Sequence, residues 1–267
     1  MSRATTALAC LISSVLLTLA AAAPAAAASP ASEWDYVALG DSYSSGVGAS
    51  GQTGVCLRSP NGYPGLWDKA NDPASFRSVA CSGATTDTLR SSQLSALNTG
   101  TDLVTVTIGG NDVGFASTII TCTLTSDSGC AAKVADGIKK LNEQMPAKFD
   151  ATYREIRAKA PNATVIVLGY PMLFDEKAPS CGFAGMSIPK RKSLNAGAVE
   201  LNKAIKAHAQ AAGFRWSDVT DEFAGHGICG PSPWLHGLTV IPPTDSFHPT
   251  GTGYQSGYLP ALNSVLG

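Results

Sequence analysis

The sequence predicts an α/β protein, a three-layer α/β/α sandwich built on a mainly parallel sheet. Three apolar runs, two of them rich in β-branched residues, lie at 36–39, 103–108 and 163–169. Nearly continuous apolar runs are typical of parallel strands, because such strands are covered on both faces. Stretches with helical spacing follow the second and third runs. This alternation of strands and helices indicates a layered α/β fold.

The ends of these strands carry polar residues. The first run stops at a sharp turn that contains Ser42, and the second stops at a glycine pair followed by Asn111. A fourth strand is expected at 214–219. In folds of this class, functional residues gather beyond the carboxyl ends of the strands. Ser42 and Asn111 are therefore both expected at that edge of the sheet.

Two long helices are expected in the second half of the chain. Residues 133–159 carry apolar side chains at spacings of three and four, the pattern of a helix packed on one face. Pro146 is expected to kink or divide this helix. Residues 190–212 show a similar pattern, and Gly213 supplies a stop signal. No repeat, charge block or linker divides the remaining chain, so residues 29–267 are predicted to form one domain.

Residues 1–28 have the features of a secretory signal peptide. Arg3 gives a positive start, residues 7–23 are apolar without a charge, and three alanines at 26–28 fit the cleavage pattern. The apolar stretch is short and no stop-transfer pattern follows it, so we expect cleavage rather than a membrane anchor. Cleavage near Ala28 leaves a secreted, extracellular protein without stable membrane insertion.

The charge balance says little about macromolecular partners. The formal net charge is −1 and 15% of the residues are charged. This balance gives no electrostatic reason to expect a nucleic acid as a partner. We expect a monomer whose partner is its substrate.

The cysteine content agrees with export. Six of the seven cysteines follow the signal segment, and six cysteines in an exported chain indicate three disulfides. No pair has the Cys-x-x-Cys spacing of a zinc ribbon or a thioredoxin-like site. Sequence alone leaves the pairing open. The arrangement that closes each bridge within one local region is Cys56–Cys81, Cys122–Cys130 and Cys181–Cys229.

Ser42 is the first candidate for catalytic chemistry. A serine on a strand-to-helix turn exposes its hydroxyl at the sheet edge, where backbone N–H groups point to the same place, and a nearby base can activate it. The alternative is an ordinary serine helix cap, which is common. The turn is not the G-x-S-x-G elbow of α/β-hydrolases, because Ser44 stands at the second glycine position.

Three further segments favour the catalytic alternative. Gly83 lies in a turn of small residues and can present its N–H to a bound anion. Asn111 places a side-chain amide directly after a strand. His248 comes late in the chain, with the carboxylate of Asp245 three residues before it.

In this order, the four segments resemble the sequence blocks of the SGNH, or GDSL-type, hydrolase family. The matching stretches are Gly40-Asp41-Ser42-Tyr43, Gly83, Gly110-Asn111-Asp112 and Asp245-Ser246-Phe247-His248-Pro249. The stretches 36–46 and 232–236 are similar to secreted actinomycete lipases and phospholipases. The resemblance covers essentially the whole mature chain and implies a flavodoxin-like α/β/α fold.

The resemblance implies a role for each residue. Ser42 is the nucleophile and His248 is the general base. The backbone N–H groups of Ser42 and Gly83 and the side-chain amide of Asn111 form the oxyanion hole. The group that orients His248 is left between two alternatives. We expect the carboxylate of Asp245, but some family members use a backbone carbonyl two residues before the histidine, here that of Ser246.

The function that follows is the hydrolysis of carboxylic esters of lipids by a secreted enzyme, as a triacylglycerol lipase or a phospholipase A. The alternative within the fold is a carbohydrate acetylesterase. A non-catalytic binding module is disfavoured because Ser42, Asn111 and His248 are all present. No cofactor and no metal are expected, since His226 and His236 lack a metal-ligand spacing.

Overall fold

The structure is a computed structural model that describes residues 1, 30, 33–181 and 186–266 of the 267-residue chain. Its centre is a five-stranded sheet in the order β2-β1-β3-β4-β5, and all four strand pairs are parallel. The strands are β1 (Asp35–Gly40), β2 (Ser75–Ser78), β3 (Leu103–Thr107), β4 (Thr164–Leu168) and β5 (Arg215–Ser217). The α/β class with a parallel sheet is therefore confirmed.

The helices alternate with the strands along the chain. They are α1 (Ser42–Ser45), α2 (Tyr63–Asn71), α3 (Thr86–Ser92), α4 (Phe115–Leu124), α5 (Asp127–Lys159), α6 (Ile188–Ala211) and α7 (Leu259–Leu266), with a π-helical turn at Gly253–Tyr258 and 3-10 turns at Leu94–Ala96 and Pro243–Asp245. Helices α3, α4 and α6 pack against α5, while α2 and the π-helical turn pack against α7. Both groups reach the sheet, because α6 and α7 each contact β4.

The centre of the sheet fixes where the polar strand ends meet. Every residue of β3 is buried, and so are five of the six residues of β1. The register pairs Gly40 at the end of β1 with Thr107 at the end of β3. The segments that follow these two strands, one with Ser42 and one with Asn111, therefore start side by side.

Two elements differ from the sequence expectation. Strand β2 was not predicted, because it is a four-residue edge strand in which no residue is fully buried. Of the two outcomes expected at Pro146, a kink or a division, division is wrong, because α5 begins at Asp127 and continues through this residue. A proline inside a helix removes one N–H donor and its ring crowds the carbonyl four residues earlier, a cost of about 3 kcal/mol that favourable packing can offset. The buried face around it, including Met145 and Phe149, packs without interruption.

Three disulfides cross-link the chain, and one of them, Cys122–Cys130, joins α4 to α5. The pairs are Cys56–Cys81, Cys122–Cys130 and Cys181–Cys229, the arrangement in which each bridge closes locally. Within the described ranges, no helix is both long and apolar enough to cross a bilayer. The signal peptide expected at 1–28 and its cleavage site lie outside the described residues, apart from Met1.

Candidate active site

Ser42 and His248 meet at the carboxyl edge of the sheet. Ser42 is the first residue of α1, directly beyond β1, and its Oγ lies 2.8 Å from Nε2 of His248. The other ring nitrogen, Nδ1, lies 3.0 Å from the backbone oxygen of Ser246. A carbonyl oxygen only accepts hydrogen bonds, so Nδ1 carries the proton. Nε2 is then free to accept the hydrogen bond of the Ser42 hydroxyl.

The position of Asp245 corrects the sequence expectation. Its carboxylate accepts a hydrogen bond of 2.8 Å from Nε2 of Gln52, and among the described residues it makes no hydrogen bond to His248. Asp245 ends the 3-10 turn Pro243–Asp245, and the chain then turns so that the carbonyl of Ser246 reaches the imidazole. The contact expected for the carboxylate is made by the backbone alternative instead.

Burial keeps the His248 imidazole neutral. Removal from water lowers its pKa from the usual 6.5 to about 4. The carbonyl of Ser246 and the negative charge of Asp245 act in the opposite direction, but their effect is smaller. A neutral imidazole with Nδ1 protonated is the form that a general base requires. This form prevails at any pH well above about 4.

Three N–H donors were expected to bind an oxyanion. The backbone N–H groups of Ser42 and Gly83 have no acceptor among the described hydrogen bonds. Gly83 has a φ of +80°, a conformation that favours glycine, and a Cβ built on it would meet no described atom within 4 Å apart from its chain neighbours. Asn111 donates one N–H to the carbonyl of Ala84 at 2.9 Å. This bond joins the loop that carries Asn111 to the turn that carries Gly83.

The carboxylate of Asp41 is the centre of a hydrogen-bond network next to Ser42. Its Oδ1 accepts from the backbone N–H of Tyr43 and from the hydroxyl of Thr107, and its Oδ2 accepts from the phenol of Tyr170 at 2.5 Å. The same phenol oxygen accepts from the N–H of Gly110, the residue before Asn111. Burial raises the pKa of this carboxyl to about 6, against the lowering effect of its three donors. Asp41 thus connects the Ser42 turn to the segment with Asn111.

Residues 236–249, here called the base loop, carry His248. Besides the Gln52–Asp245 hydrogen bond, two hydrogen bonds and one close backbone approach hold this loop to the segment that follows β1. The phenol of Tyr43 donates to the carbonyl of Phe247 at 2.7 Å, and Nε2 of His236 lies 2.8 Å from the carbonyl of Gly48. Gly48 approaches so closely that a Cβ there would lie 2.3 Å from the carbonyl oxygen of Pro249.

Sequence reasoning missed several residues that position the site, namely Gln52, Tyr43, Tyr170, Thr107 and Gln93. Gln93 holds Gly40 by both its amide atoms, at 2.7 and 2.8 Å. Each of these residues acts through a contact that is distant in sequence, so spacing gave no signal for it. Tyr43 alone lies in a matched sequence block, next to Ser42.

An apolar pocket opens beside Ser42 and Asn111. Its other walls come from the segments after β3 and β4 and from helices α4, α5 and α6. The remaining lining residues are Asp41, Tyr43, Gly110, Val113, Phe115, Thr118, Val134, Gly137, Ile138, Leu141, Tyr170, Pro171, Leu173, Leu194, Gly197, Ala198 and Leu201. Most of these side chains are hydrocarbon. Within the part of the chain that the structure describes, no group of three or more histidine, cysteine or acidic side chains is arranged to hold a metal ion.

Relatives at 44–45% identity to this chain are named as lipases or as a phospholipase. A model of the GDSL-like Lipase/Acylhydrolase family matches residues 38–256. The chain is 44% identical over 250 residues to Lipase 1 of Streptomyces coelicolor, and the match covers 92% of each sequence. An extracellular lipase from Streptomyces rimosus superposes with a TM-score of 0.83 at 45% identity, covering 86% of this chain and 99% of that one.

A second solved structure from Streptomyces is similar to this chain to the same degree. A phospholipase A1 from Streptomyces albidoflavus superposes with a TM-score of 0.82 at 45% identity, covering 86% of this chain and 98% of that one. The resemblance found in the sequence and the fold class it implied are thereby confirmed.

Proposed function

Because the chain belongs to the GDSL-like lipase/acylhydrolase family and is a carboxylic ester hydrolase, we propose that it cleaves the ester bonds of lipids through an acyl-enzyme on Ser42. The observation that carries the proposal is the hydrogen-bonded series from Ser42 Oγ to His248 Nε2 and from His248 Nδ1 to the carbonyl of Ser246. This series provides a nucleophile, a base and a group that orients the base.

The proposed reaction has two halves. In the first, the Ser42 oxygen attacks the ester carbonyl carbon while His248 takes the hydroxyl proton, and His248 then returns this proton to the leaving alcohol. In the second, His248 takes a proton from water as the water oxygen attacks the acyl carbon, and it then gives this proton to the Ser42 oxygen as the bond between Ser42 and the acyl group breaks and the carboxylic acid leaves. The backbone N–H groups of Ser42 and Gly83 and the amide of Asn111 stabilise the oxyanion in both halves.

The orientation of His248 follows the backbone alternative. When the imidazole becomes charged, the carbonyl of Ser246 receives a stronger hydrogen bond from Nδ1. The carboxylate of Asp245 acts through its charge at a greater distance, because Gln52 holds it. We therefore propose a Ser–His pair supported by a backbone carbonyl, with Asp245 outside the hydrogen-bonded series.

The pocket supports lipid esters over acetyl esters. An acetyl group has one methyl beyond its carbonyl, whereas hydrocarbon side chains from three helices line this pocket. Burial of each methylene of an acyl chain contributes about 0.8 kcal/mol to binding. Triacylglycerols and phospholipids are both candidate substrates, in keeping with the names of the relatives.

The setting of the proposed reaction is outside the cell. Three disulfides fit an oxidising compartment. We propose that residues 1–28 are removed on export, that residues 29–267 act as one domain and a monomer, and that nucleic acids are not partners.

The nucleophile is tested by labelling with a fluorophosphonate, which forms a covalent bond to an activated serine. We expect labelling of the wild type and of Ser128→Ala, a control in which an exposed serine of α5 is removed. We expect none of Ser42→Ala. Equal labelling of Ser42→Ala and wild type would overturn the assignment.

The substrate class is tested with p-nitrophenyl acetate, decanoate and palmitate, phosphatidylcholine, a triacylglycerol emulsion and acetylated xylan. We expect hydrolysis of the p-nitrophenyl esters with longer acyl chains and of at least one of the two lipids, phosphatidylcholine or triacylglycerol. Activity confined to acetylated xylan and the acetate ester would identify a carbohydrate acetylesterase instead.

A further inference from the structure

Two glycines lie in the helical wall of the pocket, where long side chains would be expected. Gly137 belongs to the interior of α5 and Gly197 to the interior of α6. Glycine is one of the poorest residues inside a helix, because its backbone loses more freedom than that of any other residue. Neither glycine has a positive φ, so the backbone does not require glycine at these positions.

Packing explains only one of them. A Cβ at Gly197 would lie 3.2 Å from a methyl group of Val134, so glycine allows α6 to pack closely on α5. A Cβ at Gly137 would meet only the carbonyl oxygen of Val113, at 3.5 Å, among the described atoms. This distance is an ordinary van der Waals contact. Neither the packing nor the backbone of the described residues explains the glycine at 137.

The neighbours of Gly137 on α5 show what it replaces. Val134, three residues before it, and Leu141, four residues after it, lie on the same helix face and line the same pocket. Gly137 is therefore a gap in a row of branched hydrocarbon side chains. A larger side chain there would occupy pocket volume rather than solvent or core.

The gap lies beside the catalytic end of the pocket. The atom nearest to a Cβ at Gly137 belongs to Val113, two residues beyond the oxyanion candidate Asn111. Ser42 and Asn111 line the same pocket as Gly137, so an acyl chain bound at Ser42 occupies the space that the glycine leaves free.

We propose that Gly137 determines the length of acyl chain that the enzyme accepts, by leaving pocket volume free where its neighbours on α5, Val134 and Leu141, carry branched side chains. This inference rests on the proposed function, since it assumes that the pocket holds the acyl group of the ester attacked by Ser42. A larger side chain at 137 takes this volume away from a long acyl chain. An acetyl or butyryl group needs less of the pocket and is still accepted.

The test compares Gly137→Leu with Ala135→Leu, which adds the same side chain to the exposed face of the same helix. The measurement is kcat/KM for p-nitrophenyl acetate, butyrate, octanoate, decanoate and palmitate. For Gly137→Leu we expect acetate within a few-fold of wild type and a progressive loss above butyrate, about tenfold for every two methylene groups excluded. Ala135→Leu keeps the wild-type profile.

Gly137→Ala provides a milder variant, because the methyl group fits at the 3.5 Å contact without displacing the backbone. It is expected to raise thermal stability through helix propensity while shortening the preferred chain slightly. If Gly137→Leu does not fold, the chain-length profile of Gly137→Ala tests the proposal in its place. An unchanged profile in a folded variant, or an equal loss for all chain lengths including acetate, overturns the proposal.

The rate of covalent labelling at Ser42 separates the failure of this inference from the failure of the proposed function. Ethyl and decyl fluorophosphonates label the same serine but differ in chain length. Gly137→Leu is expected to slow labelling by the decyl reagent and not by the ethyl reagent. If neither reagent labels the wild type at Ser42, the proposed function fails. If both label wild type and Gly137→Leu at unchanged rates, only the role of Gly137 fails.

Discussion

Ser42 stands at the end of a buried central strand, whereas His248 stands in the base loop, whose only helical element is the 3-10 turn Pro243–Asp245. Strand pairing between β1 and β3 sets the position of Ser42. The position of His248 depends on individual hydrogen bonds. One runs from the Tyr43 phenol to the carbonyl of Phe247, and another joins the His248 ring to the carbonyl of Ser246. Regular structure thus sets one partner of the pair, and individual hydrogen bonds set the other.

The difference also appears in backbone conformation. The segment around Ser42 continues the ladder of the sheet, with the N–H of Asp41 bonded to Thr107. In the base loop, Phe247 has a φ of 64°, a left-handed conformation that is uncommon for a bulky residue. Such a conformation is maintained by the surrounding contacts. We therefore expect substitutions around His248 to disturb geometry more readily than substitutions around β1.

The largest effect is expected from His248→Ala, which removes the base and leaves the sheet side intact. Activity falls by roughly 10⁴-fold or more, while the thermal unfolding temperature changes little. The measurement is kcat with p-nitrophenyl butyrate together with a melting curve. His208→Ala, which removes a histidine of α6 that contacts Asp150 and Phe149, is the control. Retention of more than about a tenth of the activity by His248→Ala contradicts the assignment.

Asn111→Ala tests the sheet side of the comparison, in the segment after β3. The variant loses one proposed oxyanion donor and the bond to the Ala84 carbonyl, so kcat is expected to fall by about 10²- to 10³-fold. KM is expected to change much less, because the donor acts mainly in the transition state. Asn71→Ala, which removes an amide bonded to Trp67, is the control. A change confined to KM would speak against the oxyanion role.

Tyr43→Phe tests the support of the base loop. The Phe247 carbonyl loses its buried donor, which destabilises the fold by about 1–3 kcal/mol and loosens His248. Tyr258→Phe is the matched control, since its phenol also donates to a buried backbone carbonyl, that of Gly169. Similar losses of stability are expected by chemical denaturation, but kcat falls only in Tyr43→Phe. Equal kcat values would show that Tyr43 has a structural role alone.

The smallest effect is expected from Asp245→Asn. With the Ser246 carbonyl in place, kcat at neutral pH falls only a few-fold, far from the roughly 10⁴-fold loss typical of a triad aspartate. The negative charge raises the pKa of His248, so its removal lowers that pKa below about 4. Since the base works unprotonated, kcat/KM of wild type declines as pH falls through about 4, and the decline in the variant lies at lower pH. A pH–rate profile measures both.

The Asp245→Asn experiment has one control and one outcome that would contradict the prediction. Asp150→Asn, in α5, leaves the profile unchanged. A loss of several thousand-fold in Asp245→Asn at neutral pH would restore the carboxylate to the catalytic series.

The strand end with Ser42 and the base loop with His248 also differ in how much of each could be predicted from the sequence. The runs at 103–108 and 163–169 identified β3 and β4 because buried parallel strands are apolar on both faces. Ser42 and Asn111 followed from their places at strand ends. Strand β2 was not predicted from the sequence, because its mostly polar residues resemble an exposed segment.

The base loop was predicted only in part. Its histidine could be identified from the resemblance, but the choice between Asp245 and the Ser246 carbonyl could not. That choice depends on the backbone path around Phe247 and on Gln52, almost two hundred positions earlier in the chain. The sequence also does not distinguish apolar residues of the pocket from those of the core. Phe115 lines the pocket, whereas Phe247 is buried against Phe174.

The hydrogen bond between Ser42 and His248 joins residues 206 positions apart. Contacts of such separation form late in folding, because a long loop must close before they contribute. A chain that has formed β1 and β3 has its serine in place but no base. Regained hydrolysis during refolding therefore reports that the last part of the chain has docked, whereas regained secondary structure reports only the sheet.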